Sequence, residues 1–245
     1  MITPESLILA LDTATPIQSL AIVRGSSVLF EAFSHTQTKE GPGLLSLVDD
    51  ALRHCELTIK DIDRFVVSRG PGAFTGLRVS MAMLKSLALT LNKPLYAASS
   101  LEAIAMDSLP SNDIVAACMD ARRGEIYAAF YKMKDGELQS LSDELLLKPD
   151  EFIAYMEHAF PNQPIACVGP AFPNYTQKLS ALRPGIIVRT ANPRAAMLAA
   201  SILKKFPNEM PDIPLESLEP KYIRMDDFEL PKPFDFSQPG QFRAK

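Results

Sequence analysis

The fold is decided by the stretch "DIVAACMDARRGEIYAAFYKMKDGELQSLS", Asp113 to Ser142. It begins as an apolar run that ends on an aspartate, Asp120. A turn over Ala121 to Gly124 leads into a second strand, Ile126 to Lys132, and Asp135-Gly136 is a hairpin signal before a third. The same unit opens the chain as "SLILALDTATPIQSLAIVRGSSVLFEAF", Ser6 to Phe33. Leu7 to Leu11 is the apolar run, Asp12 sits at its end, and Asp12 to Pro16 is turn chemistry. Strands Ser19–Arg24 and Val28–Phe33 follow, joined at Arg24-Gly25-Ser26. One three-strand unit, with an aspartate at the same joint, occurs twice.

Helices and strands then alternate after each copy. A helix over Leu44 to Cys55 follows the loop Gly41-Pro42-Gly43. Its Leu44, Leu47, Val48, Ala51, Leu52 and Cys55 share one face, and Ser46, Asp49, Asp50 and Arg53 the other. "RFVVSRG" is a strand, Thr75–Leu91 a long helix and Pro94–Ala98 a strand again. In the second half, helices are expected near Asp150–Ala159, Tyr175–Leu182 and Pro193–Lys204, with strands at Pro164–Gly169 and Ile186–Arg189. This duplicated β-hairpin-plus-α/β unit predicts an α/β protein of the two-lobed actin-like ATPase/sugar-kinase (ASKHA) architecture. Residues 1–107 would form the N-terminal lobe, 108–206 the C-terminal lobe, and 207–245 a proline-rich tail that wraps the surface or frays.

In that architecture two aspartate-bearing hairpins face each other across a cleft and hold nucleotide phosphates with magnesium. Asp12, Thr13, Asp120 and Arg122, with Arg123 beside it, are therefore candidates for an anion or nucleotide. A phosphate hairpin brings backbone close to the anion, which favours glycine. The first hairpin has none and carries Pro16, which lacks a donor; the second has Gly124. A third stretch, Arg69 to Gly76, is a strand-to-helix junction whose helix N-terminus suits an anion. It lacks the lysine of a P-loop. Ordinary turn and cap chemistry is the favoured account of all three, since a lone glycine loop is a weak signal. His35, His54 and His158 are scattered, with no i, i+4 pair, so no metal site is expected. There is no G-x-S-x-G elbow.

A net charge of −4 over 245 residues excludes nucleic-acid binding driven by overall charge but leaves room for a local basic patch. Cys55, Cys118 and Cys167 are odd in number and far apart, which reads as free thiols in a reducing cytosol. The first residues lack a basic n-region, so no signal peptide is expected. No segment reads as the ~20 uncharged apolar residues of a membrane span. A soluble cytosolic protein is the expectation.

The long helix is apolar nearly all round. Leu77, Met81, Leu84, Ala88 and Leu91 form one stripe, and Val79, Met83, Leu87 and Thr90 a second. Arg78 and Lys85 share the narrow charged sector. Such a helix is either sandwiched in a core or covered by a partner.

"SRGPGAFTGLRVSMAMLKSLALTLNKPLYAASSLEAIA", with "ILALDTAT", "MDARRGEIYAAFY" and "EPKYIR", resembles the TsaB (YeaZ) family over about Ile8 to Arg224. These are non-catalytic bacterial relatives of the TsaD/Kae1 proteins that make threonylcarbamoyladenosine in tRNA. The family-motif block comprises Gly70, Pro71, Gly72, Thr75, Gly76 and Arg78; the aspartate hairpins are generic to the fold. In the catalytic relatives the segment after the strand matching Pro94-Leu95-Tyr96 carries a metal-binding H-x-x-x-H. Ser100 and Ile104 stand at those positions, and neither side chain suits a transition metal. No acidic residue lies in Val188–Met197, where the relatives use an aspartate.

The resemblance implies a scaffold without catalytic residues, metal or cofactor of its own, nucleotide binding arising only in a complex. Its implied partners are a TsaD homologue and the ATPase TsaE, with tRNA reached through the complex and a homodimer when TsaD is absent. The implied interface is Leu44, Leu47, Val48 and Ala51 of the first helix with Arg78, Val79, Met83 and Leu87 of the long one. Gly41-Pro42-Gly43 departs from the family's usual start of that first helix. Two alternatives stand beside this reading. One is a nucleotide-dependent phosphotransferase of the sugar-kinase class, resting on Asp12 and Asp120. The other is a glycoprotease-like metallopeptidase.

Overall fold

The computed structural model describes residues 6–35, 43–108, 114–134, 136–183, 186–206, 210–211 and 213–224. Gly41, Pro42, Asp135 and most of the proline-rich tail lie outside them. Strands β1 (Leu7–Asp12), β2 (Ile17–Arg24), β3 (Ser27–His35), β4 (Arg64–Ser68) and β5 (Leu95–Ala98) form one sheet in the order β3-β2-β1-β4-β5. β1 to β3 pair antiparallel, while β1, β4 and β5 run parallel. The second sheet contains β6 (Ile114–Arg122), β7 (Glu125–Lys134), β8 (Glu137–Ser140), β9 (Leu145–Leu147), β10 (Ile165–Val168) and β11 (Ile187–Arg189). Its order is β11-β10-β6-β7-β8, with β9 also on β7. Each sheet is a meander extended beyond its first strand by two parallel strands, so the repeat read in the sequence is a repeat of topology. This is the two-lobed actin-like ATPase/sugar-kinase fold.

Strand parity builds the layers. Successive side chains on a strand point to opposite faces. Leu7, Leu9 and Leu11 pack with α1 (Leu44–His54) and α2 (Phe74–Leu91) on one side of the first sheet. Ile8 and Ala10 pack on the other side with α6 (Ala195–Lys205). β6 and β7 split likewise. Ala116, Cys118, Ala128 and Phe130 face α4 (Pro149–Ala159) and α5 (Phe172–Leu182). Val115, Ala117, Met119 and Ala129 face α3 (Ser100–Asp107). The result is five layers, with α3 and α6 in the middle.

Those two helices change the domain division. α3 follows the first sheet in sequence but packs on β6 and β7; α6 follows the second sheet but covers β1, β2, β4 and β5. A cut at residue 107 therefore separates helices from the sheets they cover. Ion pairs fasten the exchange. Arg194, at the start of α6, holds Glu31 of β3 and Asp107 of α3 (2.6 Å to Asp107). Glu102 of α3 accepts from Ser201 (2.5 Å) and Lys205 (2.6 Å) of α6. Ser99 caps α3, its Oγ accepting from Leu101 and Glu102 N–H.

α2 and α1 bear on two further expectations. α2 is long and apolar enough, by composition alone, to cross a membrane, with mean hydropathy 1.2 over 18 residues. Here it is a helix of the fold, with Leu77, Ser80, Met81, Leu84 and Ala88 buried and Lys85 donating to the carbonyls of Glu216 and Leu218. The four α1 residues assigned to a partner surface, Leu44, Leu47, Val48 and Ala51, are buried in the chain's own core. Amphipathic spacing marks an apolar face, and this one meets the first sheet. α1 leaves Leu45, Ser46, Asp49, Asp50 and Arg53 exposed.

Candidate functional site

The two aspartate joints have different environments. Asp12, at the end of β1, is fully buried. Its Oδ1 accepts the Ala14 N–H (2.8 Å) and its Oδ2 accepts the Ser100 hydroxyl (2.7 Å), which lies 2.8 Å from Ser68 Oγ. Burial pushes this carboxyl up to about 6, against the lowering effect of the hydrogen bonds from Ser100, Ala14 and Ser68. Thr13 is buried too, donating to the Gly76 carbonyl (2.9 Å) and meeting Ser80 Oγ at 2.7 Å. Neither residue reaches the cleft, which corrects their candidacy as anion ligands.

The reason is the glycine block. Between β4 and α2, the loop carrying Gly70, Pro71 and Gly72 lies directly on the β1–β2 turn, with the Ala73 N–H donating to the Ala14 carbonyl (2.7 Å). A Cβ on Gly72 would sit 2.4 Å from the Ala14 oxygen, and one on Gly76 would sit 2.2 Å from the Thr13 oxygen. The glycines let two backbones meet, sealing Asp12 beneath them, and leave no cradle for phosphate there. Thr75 is exposed at the start of α2. Gly76→Ala is accordingly expected to destabilise the chain by about 1–3 kcal/mol, the range of overpacking in a close-packed interior. Urea unfolding read by circular dichroism checks this.

Asp120 stays accessible. Its Oδ1 accepts the Arg122 N–H (2.7 Å) and the Tyr175 hydroxyl (3.1 Å), and Arg122 Nη1 lies 3.8 Å from Oδ2. Burial, then the Asp120 charge, pushes the Tyr175 phenol up to about 12. The hairpin turns at Arg123-Gly124, both at positive φ (53° and 78°), the signature of a type I′ turn. Arg122 and Arg123 are thereby carried outward on a tight, rigid tip, and both are exposed.

A third wall comes from the strap, residues 213–224. Leu218 is buried in the first-lobe core, and the Lys221 N–H donates to the Arg69 carbonyl (2.8 Å). The Lys221 ammonium pairs with Glu144 (2.8 Å). Arg224 pairs with Glu125 and donates to the Ala121 carbonyl (3.0 Å), tying the strap to the second lobe. Arg78 donates to the Tyr222 hydroxyl (2.9 Å), and its guanidinium lies 3.7 Å over the Phe74 ring. The resemblance implied a partner surface for Arg78; it lies on the cleft side of α2.

Together these walls enclose a cleft of about 830 Å³ between the lobes. Five cationic side chains line it, Arg78, Arg122, Arg123, Lys221 and Arg224, against one carboxylate, Asp120. Phe74, Tyr127 and Tyr222 add aromatic rings. Among the described residues no three His, Cys, Asp or Glu side chains lie together. Ser100 and Ile104 are both fully buried, Ser100 in the Asp12 network and Ile104 in an apolar cluster. The chemistry on offer in the cleft is recognition of anions and planar groups. Sequence reasoning missed Phe74, Lys221, Tyr222 and Arg224 as cleft residues. The signal was "EPKYIR", two cations and a tyrosine within four positions of the proline-rich tail.

The family model "TsaD: tRNA N6-adenosine threonylcarbamoyltransferase" matches residues 42–222. The Bacillus subtilis protein described as tRNA threonylcarbamoyladenosine biosynthesis protein TsaB is 30% identical over 161 residues, 62% of this chain and 70% of that one. The Escherichia coli protein of the same description is 34% identical over 148 residues, 58% of this chain and 63% of its own length. Among solved structures, "YeaZ from Pseudomonas aeruginosa" superposes with a TM-score of 0.73 at 26% identity, covering 89% of this chain and all of that one. A second Pseudomonas aeruginosa structure, of an uncharacterized protein with similarity to the peptidase YeaZ, gives 0.75 at the same identity and coverage. With its family-model match, its TsaB relatives and its YeaZ-like fold, the chain belongs to the TsaB (YeaZ) branch of the TsaD family.

Proposed function

We propose that the chain is a non-catalytic scaffold subunit for synthesis of N6-threonylcarbamoyladenosine at position 37 of tRNA, in the cytoplasm. It binds a catalytic TsaD homologue and supports it together with the ATPase TsaE; nucleotide belongs to the assembled complex. The observation that carries this reading is the outer face of α2. Val79 is 51% exposed and Leu89 65%, with Ala82 exposed between them and Met83 and Leu87 half-buried alongside. Leu45 of α1, 68% exposed, adds to the same side of the first sheet. An apolar stripe of this kind on a helix otherwise anchored in the core suits a partner helix. The same face serves a homodimer when TsaD is absent.

The enclosed Asp12 supports the non-catalytic half of the reading. A sugar-kinase mechanism places the first-hairpin carboxylate at the phosphates, and here both its oxygens are held by the chain. A metallopeptidase needs ligands where Ser100 and Ile104 stand. The test is reconstitution: unmodified tRNA, the TsaD and TsaE homologues, and the enzyme supplying threonylcarbamoyl-adenylate, with and without this chain. Nucleoside mass spectrometry should find product only when the chain and TsaD are both present. Product from the chain without TsaD, or full product without the chain, would overturn the proposal. So would magnesium-dependent ATP hydrolysis by the chain alone that Asp120→Ala abolishes.

A further inference from the structure

We infer, independently of the scaffold reading, that the strap is a releasable latch across the inter-lobe cleft. Its distal half, Lys221 to Arg224, clasps the second lobe through two ion pairs and lets go while the rest of the chain stays folded.

The two halves of the strap are held by different forces. Up to Leu218 the hold is apolar. Leu218 is buried in the first-lobe core, Ile213 and Leu215 pack against the same cluster, and the Lys85 ammonium donates to the Glu216 and Leu218 carbonyls. None of the residues from Glu219 to Arg224 is buried. Polar contacts hold the chain there instead. The Lys221 N–H sits on the Arg69 carbonyl and Arg78 on the Tyr222 hydroxyl. The Lys221 ammonium reaches Glu144, and Arg224 reaches Glu125 and the Ala121 carbonyl. Segments with few buried apolar contacts open locally at a fraction of the global unfolding free energy. The distal half has that composition, and the proximal half is its fixed end.

The second lobe presents carboxylates that depend on these cations. The Glu144 side chain is 8% exposed and that of Glu125 21%. Ser99, which caps α3, donates to Oε1 of Glu144, leaving Oε2 to Lys221. Among the described residues Lys221 is the only cation paired with Glu144, and Arg224 the only one paired with Glu125. Oε2 of each carboxylate is buried and meets no other donor. A buried carboxylate that loses its cation is left desolvated and unpaired, which favours the latched state. The lobes stay joined when the strap lifts, because α3 and α6 pack on each other and are tied by Arg194 to Asp107 and by Lys205 to Glu102. That joint is the hinge. Lys221, Tyr222 and Arg224 line the cleft, so its recognition surface is complete only in the latched state.

Native-state hydrogen exchange on the full chain, over a series of sub-denaturing urea concentrations, tests this. The Lys221 amide should exchange about tenfold or more faster than the amides of β1 and β6, at a rate that urea barely changes, since little surface is uncovered when the strap lifts. Exchange at the core rate, with the urea dependence of the core, would mean that the strap leaves only on global unfolding and would overturn the inference. Glu125→Gln with Glu144→Gln keeps the shapes and removes the charges. It should speed exchange at Lys221 roughly tenfold further and leave β1 unchanged. Lys221→Gln should act in the same direction by a smaller factor. No change in either variant would show that the ion pairs are not the latch. Lobe closure is read from electron-spin distances between labels at Ser46→Cys on α1 and Glu157→Cys on α4, in a Cys55→Ser background. Both positions are exposed, and Cys118 and Cys167 are buried away from the label. The double Gln variant should give a longer and broader inter-lobe distance. Faster strap exchange with an unchanged distance would show that the strap does not hold the lobes, and equally overturn the inference.

Discussion

Val79→Asp is expected to weaken association with the TsaD homologue by about 3 kcal/mol, more than a hundredfold in Kd, and to leave the isolated chain folded. Val79 sits on the outer face of α2, 51% exposed, and the buried residues of that helix lie on its opposite side. In the free chain an aspartate there keeps its water. In a helix-to-helix interface it would be desolvated among Ala82, Met83 and whatever apolar side chains the partner supplies, with no cation on this chain's side of the stripe to pair it. Leu89→Asp, at a position 65% exposed, should behave similarly. Met83→Asp is a poorer test because Met83 also packs against the first-lobe core, so folding and association would fall together. Fluorescence anisotropy against a labelled partner gives the ratio of dissociation constants, and circular dichroism confirms the fold. A ratio near one for both exposed variants would remove α2 from the interface.

The second large effect lies inside the molecule. Asp12 has an ordinary carboxyl value when unfolded and one of about 6 when folded, because burial disfavours its charged form. The folded state therefore binds the proton more tightly than the unfolded state. The stability owed to this group is greatest below about pH 4, declines as pH rises toward 6, and is level above that. The span, roughly two pH units, corresponds to about 3 kcal/mol. Asp12→Asn removes the titration and keeps an oxygen for the Ala14 N–H, while the Ser100–Ser68 hydroxyl pair can reverse to accept from the amide. Relative to the wild type, the Asn variant should gain about 3 kcal/mol between pH 4 and pH 7 in urea unfolding. A difference that stays constant across that range would mean that Asp12 is solvated after all. Asp12→Ala, by contrast, leaves the Ala14 N–H and the serine hydroxyls without their acceptor, and should destabilise the chain at every pH.

The fold was legible because its signal is local and repeated. Apolar runs over Leu7–Leu11 and Ile114–Met119, each ending on an aspartate and followed by hairpin chemistry, marked both meanders, and the helices given bounds fell within a residue or three of those observed. β9 escaped notice because Leu145-Leu146-Leu147 is only three residues long, too short a run to mark a strand. The exchange of α3 and α6 was not legible, since a helix pattern shows an apolar face without showing which sheet will cover it. The family resemblance implied a partner surface for Leu44, Leu47, Val48 and Ala51, which line the chain's own core.

The site was half legible. Asp120, Arg122 and Arg123 lie in the cleft as the hairpin rule predicts. Asp12 obeys the same rule in sequence but is closed off by Ser100, a contact across 88 positions, and by glycines whose role is close backbone approach. The strap residues Lys221, Tyr222 and Arg224 gain their meaning only from the lobes they cross.

The proposed scaffold would work by being bound. The direct measurement is a titration of the purified chain with its TsaD homologue, read by multi-angle light scattering at micromolar concentration. A stoichiometric heterodimer whose mass appears at the expense of both free proteins is the predicted result. Two unchanged free species at that concentration, with both chains folded, would contradict it.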